Sequence, residues 1–324
     1  MRVLAVWMAL TVAAVAQTPP PQTPQPQTTS PQTPSEQPAP TFRTRSEGVR
    51  VEVLVTDGER PVGGLAARDF ELVDSGVRQQ VNVETLADTP LDVILVLDTS
   101  TSLTAQGLSH LARAADALIA RLQPRDRAGL VTFSQDVMIR SALTTQHERV
   151  RAGLRNLQLH GTTAVIDSTY AGMALSDGDR PTLLLVFTDG IDTASWLRPR
   201  DVLDTARRSG VVPYAVVVGE GVAFMPSFVQ LTPRRALDQL RARADETERF
   251  LGDLVSTGGG VFMNAAQTRN LEERFADALD NFRQRYVLTY SPTGVERTGW
   301  HPIAIKIKEH ASYRVRARQG YFVR

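Results

Sequence analysis

Along this chain the spacing of hydrophobic positions changes twice. From Val49, the stretch VRVEVLV sets Val49, Val51, Val53 and Val55 against Arg50 and Glu52, the period of a half-buried strand. TDGERPV follows as a turn, and DFELVDSGVRQQVNVETL predicts two further short strands around Ser75-Gly76. From Leu91 the alternation gives way to continuous apolar runs: VILVL at 93–97, AGLVTF at 128–133, TLLLVF at 182–187 and YAVVV at 214–218. Such runs belong to strands covered on both faces, and helical segments separate most of them. One helix is predicted over Thr104 to Leu122, with Leu108, Leu111, Ala115, Leu118 and Leu122 on a core-facing stripe. The last, over Asn270 to Arg285, repeats the pattern with Leu271, Phe275, Leu279 and Phe282. After Tyr286 the two-residue period returns, with Ile303, Ile305 and Ile307 opposite Lys306 and Lys308, then Tyr313, Val315 and Ala317 opposite Arg314, Arg316 and Arg318. Neither terminal region has strands enough for a sheet pair of its own. The pattern therefore predicts one small β domain built from residues 41–90 and 286–324, with a doubly wound, mainly parallel α/β domain at 91–285 inserted between them.

The N-terminus adds a destination. Arg2, an apolar run from Val3 to Val15 and the small-x-small sequence Ala14-Val15-Ala16 predict a signal peptide over 1–16, cleaved before Gln17. That run is shorter than the roughly 20 residues a membrane span needs, and no later segment is long and apolar enough. Residues 17–40 are almost wholly Pro, Gln, Thr and Ser, an extended tether that at about 3.1 Å per residue reaches on the order of 70 Å. The expected location is outside the cytoplasm, in a periplasm or beyond the cell. The 36 basic and 35 acidic residues leave a net charge of +1, which gives no reason to expect nucleic acid as a partner. The chain has no cysteine, so disulfides, thiolate metal sites and a cysteine nucleophile are excluded. It also lacks a P-loop, Gly-x-Ser-x-Gly and His-Glu-x-x-His.

The candidate chemistry lies where the apolar runs end. In LDVILVLDTSTS the strand closes on Asp98, followed by Ser100 and Ser102 on alternate positions. Three oxygen donors at i, i+2 and i+4 of one loop can converge on a hard cation, Mg²⁺ or its relatives rather than zinc or copper. The same residue types also cap helices, so DTSTS alone leaves both roles open. TLLLVFTDG ends a second buried strand with Asp189, and GTTAVID places Thr162 and Thr163 in a loop before a helix.

Taken together, these segments resemble the von Willebrand factor A domain family over about Pro90 to Arg285. That family's metal-ion-dependent adhesion site joins an Asp-x-Ser-x-Ser loop, a later threonine and a later aspartate after a buried strand. The resemblance implies a Rossmann-type fold in which Asp98, Ser100, Ser102, Thr163 and Asp189 hold Mg²⁺, or Mn²⁺ or Ca²⁺, with Thr162 the alternative to Thr163. Thr101 and Leu103 depart from the glycine and methionine of many A domains, which bears on loop geometry rather than on donors. The implied activity is binding of a partner protein's Asp or Glu carboxylate through the metal, not catalysis; a structural or assembly module and a metal-dependent hydrolase are the competing classes. His160, the only candidate base beside the motif, reads as a loop histidine. The flanking β segments are similar to those of exported bacterial proteins described only as von Willebrand factor A-related.

Three further features are noted. Asp192 is expected to turn its loop or cap the following helix, or else to stand near the metal. An insertion from Gly219 to Glu248 has an apolar front half with Phe224, Met225 and Phe228. The last helix runs directly into the β domain at Tyr286, which makes a ligand-linked shift of that helix feasible, as in some A domains.

Overall fold

The structure, a computed structural model, describes residues 48–218 and 234–323. The expected signal peptide 1–16, the tether 17–40 and the apolar front of the insertion with Phe224, Met225 and Phe228 lie outside the described residues. Five strands come first: β1 (Val49–Asp57), β2 (Arg60–Pro61), β3 (Phe70–Asp74), β4 (Val77–Gln79) and β5 (Asn82–Thr85). Ser75 and Gly76 between β3 and β4 both take positive φ, 49° and 87°, as a two-residue hairpin turn requires.

Next comes an α/β domain of six strands, β6 (Asp92–Asp98), β7 (Arg127–Phe133), β8 (Val137–Thr144), β9 (Thr182–Thr188), β10 (Val211–Val218) and β11 (Val261–Ala265). Its helices are α1 (Ala105–Ala120), α2 (His147–Leu154), α3 (Val165–Ala174), α4 (Pro199–Arg208), α5 (Arg234–Gly258) and α6 (Leu271–Arg283). The sheet order is β11-β10-β9-β6-β7-β8, parallel except for β8, which pairs antiparallel with β7. Alternate residues of β6 enter two separate cores, as the uninterrupted apolar run requires. Leu95 and Leu97 pack with Leu111, Leu118, Phe275 and Phe282 of α1 and α6, while Ile94 and Val96 pack with Val165, Val202, Phe250 and Leu254 of α3, α4 and α5. Each fully buried side chain of this size contributes about 1.5–3 kcal/mol. The rear half of the predicted insertion, from Arg234, forms the first turns of the 25-residue helix α5. No helix of the described residues is long and apolar enough to cross a membrane.

The chain ends in β12 (Tyr286–Tyr290), β13 (Gly299–Ile307), β14 (Arg314–Arg316) and β15 (Gly320–Val323). These complete two sheets begun by the first strands, β14-β1-β12-β5 with β2 on β1, and β15-β13-β3-β4. The first and last strands of the described residues thus fold together around Val51, Val53, Val55, Phe70, Leu72, Tyr286 and Leu288.

One strand departs from its expected character. β1 is not half-buried: Glu52 and Leu54, on its supposedly wet face, are buried as well. The α/β domain covers that face, where Arg285, fully buried, donates to the carbonyls of Glu52 (3.4 Å), Arg316 (3.4 Å) and Gly259 (2.7 Å) and to the Tyr214 hydroxyl (3.2 Å). Gly259, at φ +68°, lies so close to the C-terminal segment that a Cβ there would stand 2.1 Å from the Ala317 carbonyl carbon, so only glycine fits. The last helix ends at Arg283, two residues earlier than predicted, with Tyr286 already paired in the sheet to Val53 and Thr85.

Arg285→Met keeps the apolar stem but leaves the buried carbonyls of Glu52 and Gly259 and the part-buried one of Arg316 without this donor, at a cost of about 3 kcal/mol. Urea denaturation of both proteins in a Trp196→Phe background, freed of residues 1–16, followed by helical circular dichroism and by Trp300 fluorescence, is expected to show one shared transition, at lower urea for Arg285→Met. Unchanged stability would remove Arg285 from this role.

Candidate metal centre

From β6 the chain leaves toward β7 on one side, while β9, its other neighbour, leads outward to β10. The crevice between the carboxyl ends of β6 and β9 is thus the topological switch point of the sheet, the place where such folds bind ligands. Asp98 closes β6 there, fully buried. One carboxylate oxygen accepts Ser100 N at 2.8 Å and the other accepts the Thr188 hydroxyl at 2.7 Å. The loop that follows is pinned to both sides, Thr99 Oγ1 donating to the Phe133 carbonyl at 2.9 Å and Thr101 Oγ1 to the Gly161 carbonyl at 2.9 Å. Helix capping falls to Thr104, whose Oγ1 accepts Gly107 N at 3.0 Å. Ser100 and Ser102 are free of that duty. Their hydroxyls lie 2.7 Å apart, and Ser102 Oγ donates to Asp189 Oδ1 at 2.7 Å, so Ser100 supplies the proton between the two serines.

The threonine loop arrives from the other side. Thr163 is buried and Thr162 is exposed. A Cβ built on Gly190 would lie 3.1 Å from Ser102 Oγ and 3.2 Å from Thr163 Oγ1, so both hydroxyls border one small space that the missing side chain keeps open. Four of the five expected residues, Asp98, Ser100, Ser102 and Asp189, are linked through hydrogen bonds, and Thr163 faces Ser102 across that space. Asp192 holds the loop after Asp189 in place: Ser195 N and Oγ donate to its carboxylate at 3.2 and 2.5 Å. The same carboxylate accepts Ile166 N at 3.0 Å, so it serves the N-terminus of α3 rather than the helix that follows it in sequence. His160 is turned to its own loop, Nδ1 lying 3.1 Å from the Gln158 carbonyl. Sequence reasoning missed Thr188 and Gly190, which flank Asp189 in TDG; the one anchors Asp98 and the other leaves the space.

The electrostatics follow from burial. Removal from water, then the neighbouring Asp189 charge, push the Asp98 carboxyl up to about 6, against the hydrogen bonds from Thr188 and Ser100. Burial raises Asp189 as well, partly offset by the bond from Ser102. Two carboxylates with three hydroxyls are hard neutral and anionic oxygen donors, the set that Mg²⁺, Mn²⁺ or Ca²⁺ accepts, and two of those hydroxyls, Ser102 and Thr163, border the space beside Gly190. Among the described residues no three His, Cys, Asp or Glu side chains group as a metal site, so hydroxyls would have to complete any set here.

A raised carboxyl makes the metal-free fold prefer neutral Asp98, so stability is present at low pH and is lost as pH rises from about 4 through about 6. Asp98→Asn cannot ionise, and its amide can still serve Ser100 N and Thr188. In chelator at pH 7 it is expected to be more stable than wild type by up to about 3 kcal/mol, the gap closing toward pH 4, as urea denaturation would show. A gap independent of pH would contradict this.

The family model described as von Willebrand factor type A domain matches residues 92–275, more than half of the chain. No curated protein sequence matches. Proximal thread matrix protein 1 from the mussel byssus is 15% identical, with a TM-score of 0.49, over 65% of this chain and 49% of that one. It has also been solved with a zinc-occupied MIDAS motif. A von Willebrand factor type A protein from Catenulispora acidiphila is 11% identical, with a TM-score of 0.44, over 83% of this chain and 71% of that one. BatB from Bacteroides thetaiotaomicron is 15% identical, with a TM-score of 0.44, over 59% and 98%. The chain spans about half the length of the mussel protein it matches. With its family match over 92–275 and its doubly wound sheet, this chain belongs to the von Willebrand factor type A domain family.

Proposed function

We propose that this is an exported protein-binding module whose α/β domain docks an acidic residue of a partner protein through a divalent cation held by Asp98, Ser100, Ser102, Thr163 and Asp189. Family membership supports a protein-interaction module in general, and such domains are typically not enzymes. The observation that carries the finer reading is the hydrogen-bonded cluster of Asp98, Ser100, Ser102 and Asp189 at the switch point, with the Ser102 and Thr163 hydroxyls bordering the space beside Gly190. When bound, the cation supplies an electrophilic position open to a partner's carboxylate, Mg²⁺ suiting the all-oxygen set best.

The chain's own residues do the rest. Thr188 and Ser100 N hold the Asp98 carboxylate in one orientation. Ser102, poised on Asp189, and Ser100 can turn their lone pairs inward once their protons are directed elsewhere. Nothing aims His160 at the crevice, its Nδ1 facing Gln158, and so the reading is binding rather than hydrolysis. Export rests on the N-terminal apolar segment and Pro-rich tether of the sequence.

Calorimetric titration of Mg²⁺ and Mn²⁺ into chelator-treated protein is expected to show one saturable site, lost in Asp98→Ala and Asp189→Ala. Absence of binding in wild type would sink the reading. The same titration separates the threonines: Thr163→Ala is expected to weaken binding by about tenfold or more, while Thr162→Ala leaves it within about twofold. The reverse order would transfer the donor to Thr162.

A further inference from the structure

Beside this crevice stands an indole with no cover. Trp196 is 92% exposed, the most open of the large apolar side chains among the described residues, and Leu197 and Tyr170 near it are 37% and 43% exposed. Tyr170 lies three residues after Asp167, on the same side of α3. Water contact of this extent is unfavourable for a tryptophan in an isolated molecule.

The backbone beneath the indole is fixed. Trp196 N and Leu197 N both donate to the Asp167 carboxylate at 2.9 Å. Ser195 Oγ accepts Ile166 N and Asp167 N at 3.1 Å, and Thr193 N and Ala194 N donate to the Thr163 carbonyl at 2.8 and 3.1 Å. Residues 193–197 are therefore each tied to the first turn of α3 or to the threonine loop itself. Two residues from Ala194 span at most about 7 Å, so Trp196 stands on the rim shared with Thr163. A rigid, exposed aromatic is the kind of group that binds without paying to be ordered.

The surroundings select the partner's chemistry. Arg198 and Arg200, both largely exposed, converge on the single carboxylate of Asp201, at 2.8 and 3.6 Å, and with the Asp167 carboxylate beneath the indole these charges balance, so the demand for a carboxylate comes from the cation alone. An extended chain advances about 3.3 Å per residue, so a side chain two or three positions from a carboxylate arrives about 7–10 Å away. We propose that Trp196 is a specificity-determining contact of the metal face. It receives the bulky apolar side chain of an extended segment of a partner protein, two or three residues from the Asp or Glu carboxylate that the cation takes. This rests on the metal-dependent reading above and names the partner's sequence chemistry.

The test is selection of a phage-displayed random dodecapeptide library on the purified full chain in Mg²⁺. Enriched peptides are then synthesised and titrated against wild type, Trp196→Ala, Trp196→Phe and Asp98→Ala. Expected peptides carry Asp or Glu with an aromatic or large aliphatic residue two or three positions away. Trp196→Ala is expected to weaken them about tenfold or more at unchanged Tm, Trp196→Phe to recover most of the loss, and chelator or Asp98→Ala to abolish binding. Metal-dependent peptides indifferent to Trp196→Ala would overturn the contact while leaving the metal reading intact. Peptides lost in Trp196→Ala yet bound in chelator and by Asp98→Ala would overturn both. Enrichment of no metal-dependent peptide would overturn the proposal as well.

Discussion

Two carboxylates forced into one crevice set the terms for this protein. Adjacent parallel strands bring Asp98 and the residue after Thr188 to the same switch point, where Asp98 is fully buried and Asp189 half-buried, and desolvation raises both carboxyls. In that setting the Asp98 charge is disfavoured, and either a proton or a cation relieves it. Other features of the crevice follow from this constraint. Thr188 and Ser100 N fix one acid, Ser102 satisfies the other, and Gly190 keeps the intervening space free of side chain.

The rest of the fold holds that crevice away from the β sheets. Asp98 lies at the carboxyl end of β6, whereas Arg285, Gly259 and the C-terminal segment meet at the amino ends of β10 and β11. Seven residues of strand separate the two ends of β6, roughly 20 Å. The last helix is bound on both sides of its C-terminus, by Arg121 to Asp280 at 2.6 Å and by Arg283 to the buried Asp126, before Arg285 enters the junction. The crevice thus lies at one end of β6, while the first and last described strands meet the α/β domain at the other.

Much of this was legible because it depends on periodicity and on strand ends. The runs at 93–97 and 182–187 revealed strands covered on both faces, and the stripes of α1 and α6 revealed what covers one of them. Asp98, Ser100, Ser102 and Asp189 announced themselves by following apolar runs. Other parts were silent for physical reasons. β8 is half exposed and lacks an apolar run, so its period gave no sign. Arg285 and Glu52 look like surface residues in any sequence, because only the junction buries them. Thr188 reads as one more strand residue until β6 and β9 are seen side by side. Trp196 looks like core from composition, and only the structure shows it in water.

The central claim is that the crevice is a cation site built from these five side chains. Anomalous diffraction from crystals grown with Mn²⁺ tests it most directly. The account predicts one peak bonded to Ser100 and Ser102 hydroxyls, with Asp98, Thr163 and Asp189 around it and the Ser102–Asp189 hydrogen bond rearranged. Saturating Mn²⁺ with no peak there, and Ser102 still donating to Asp189, would contradict it.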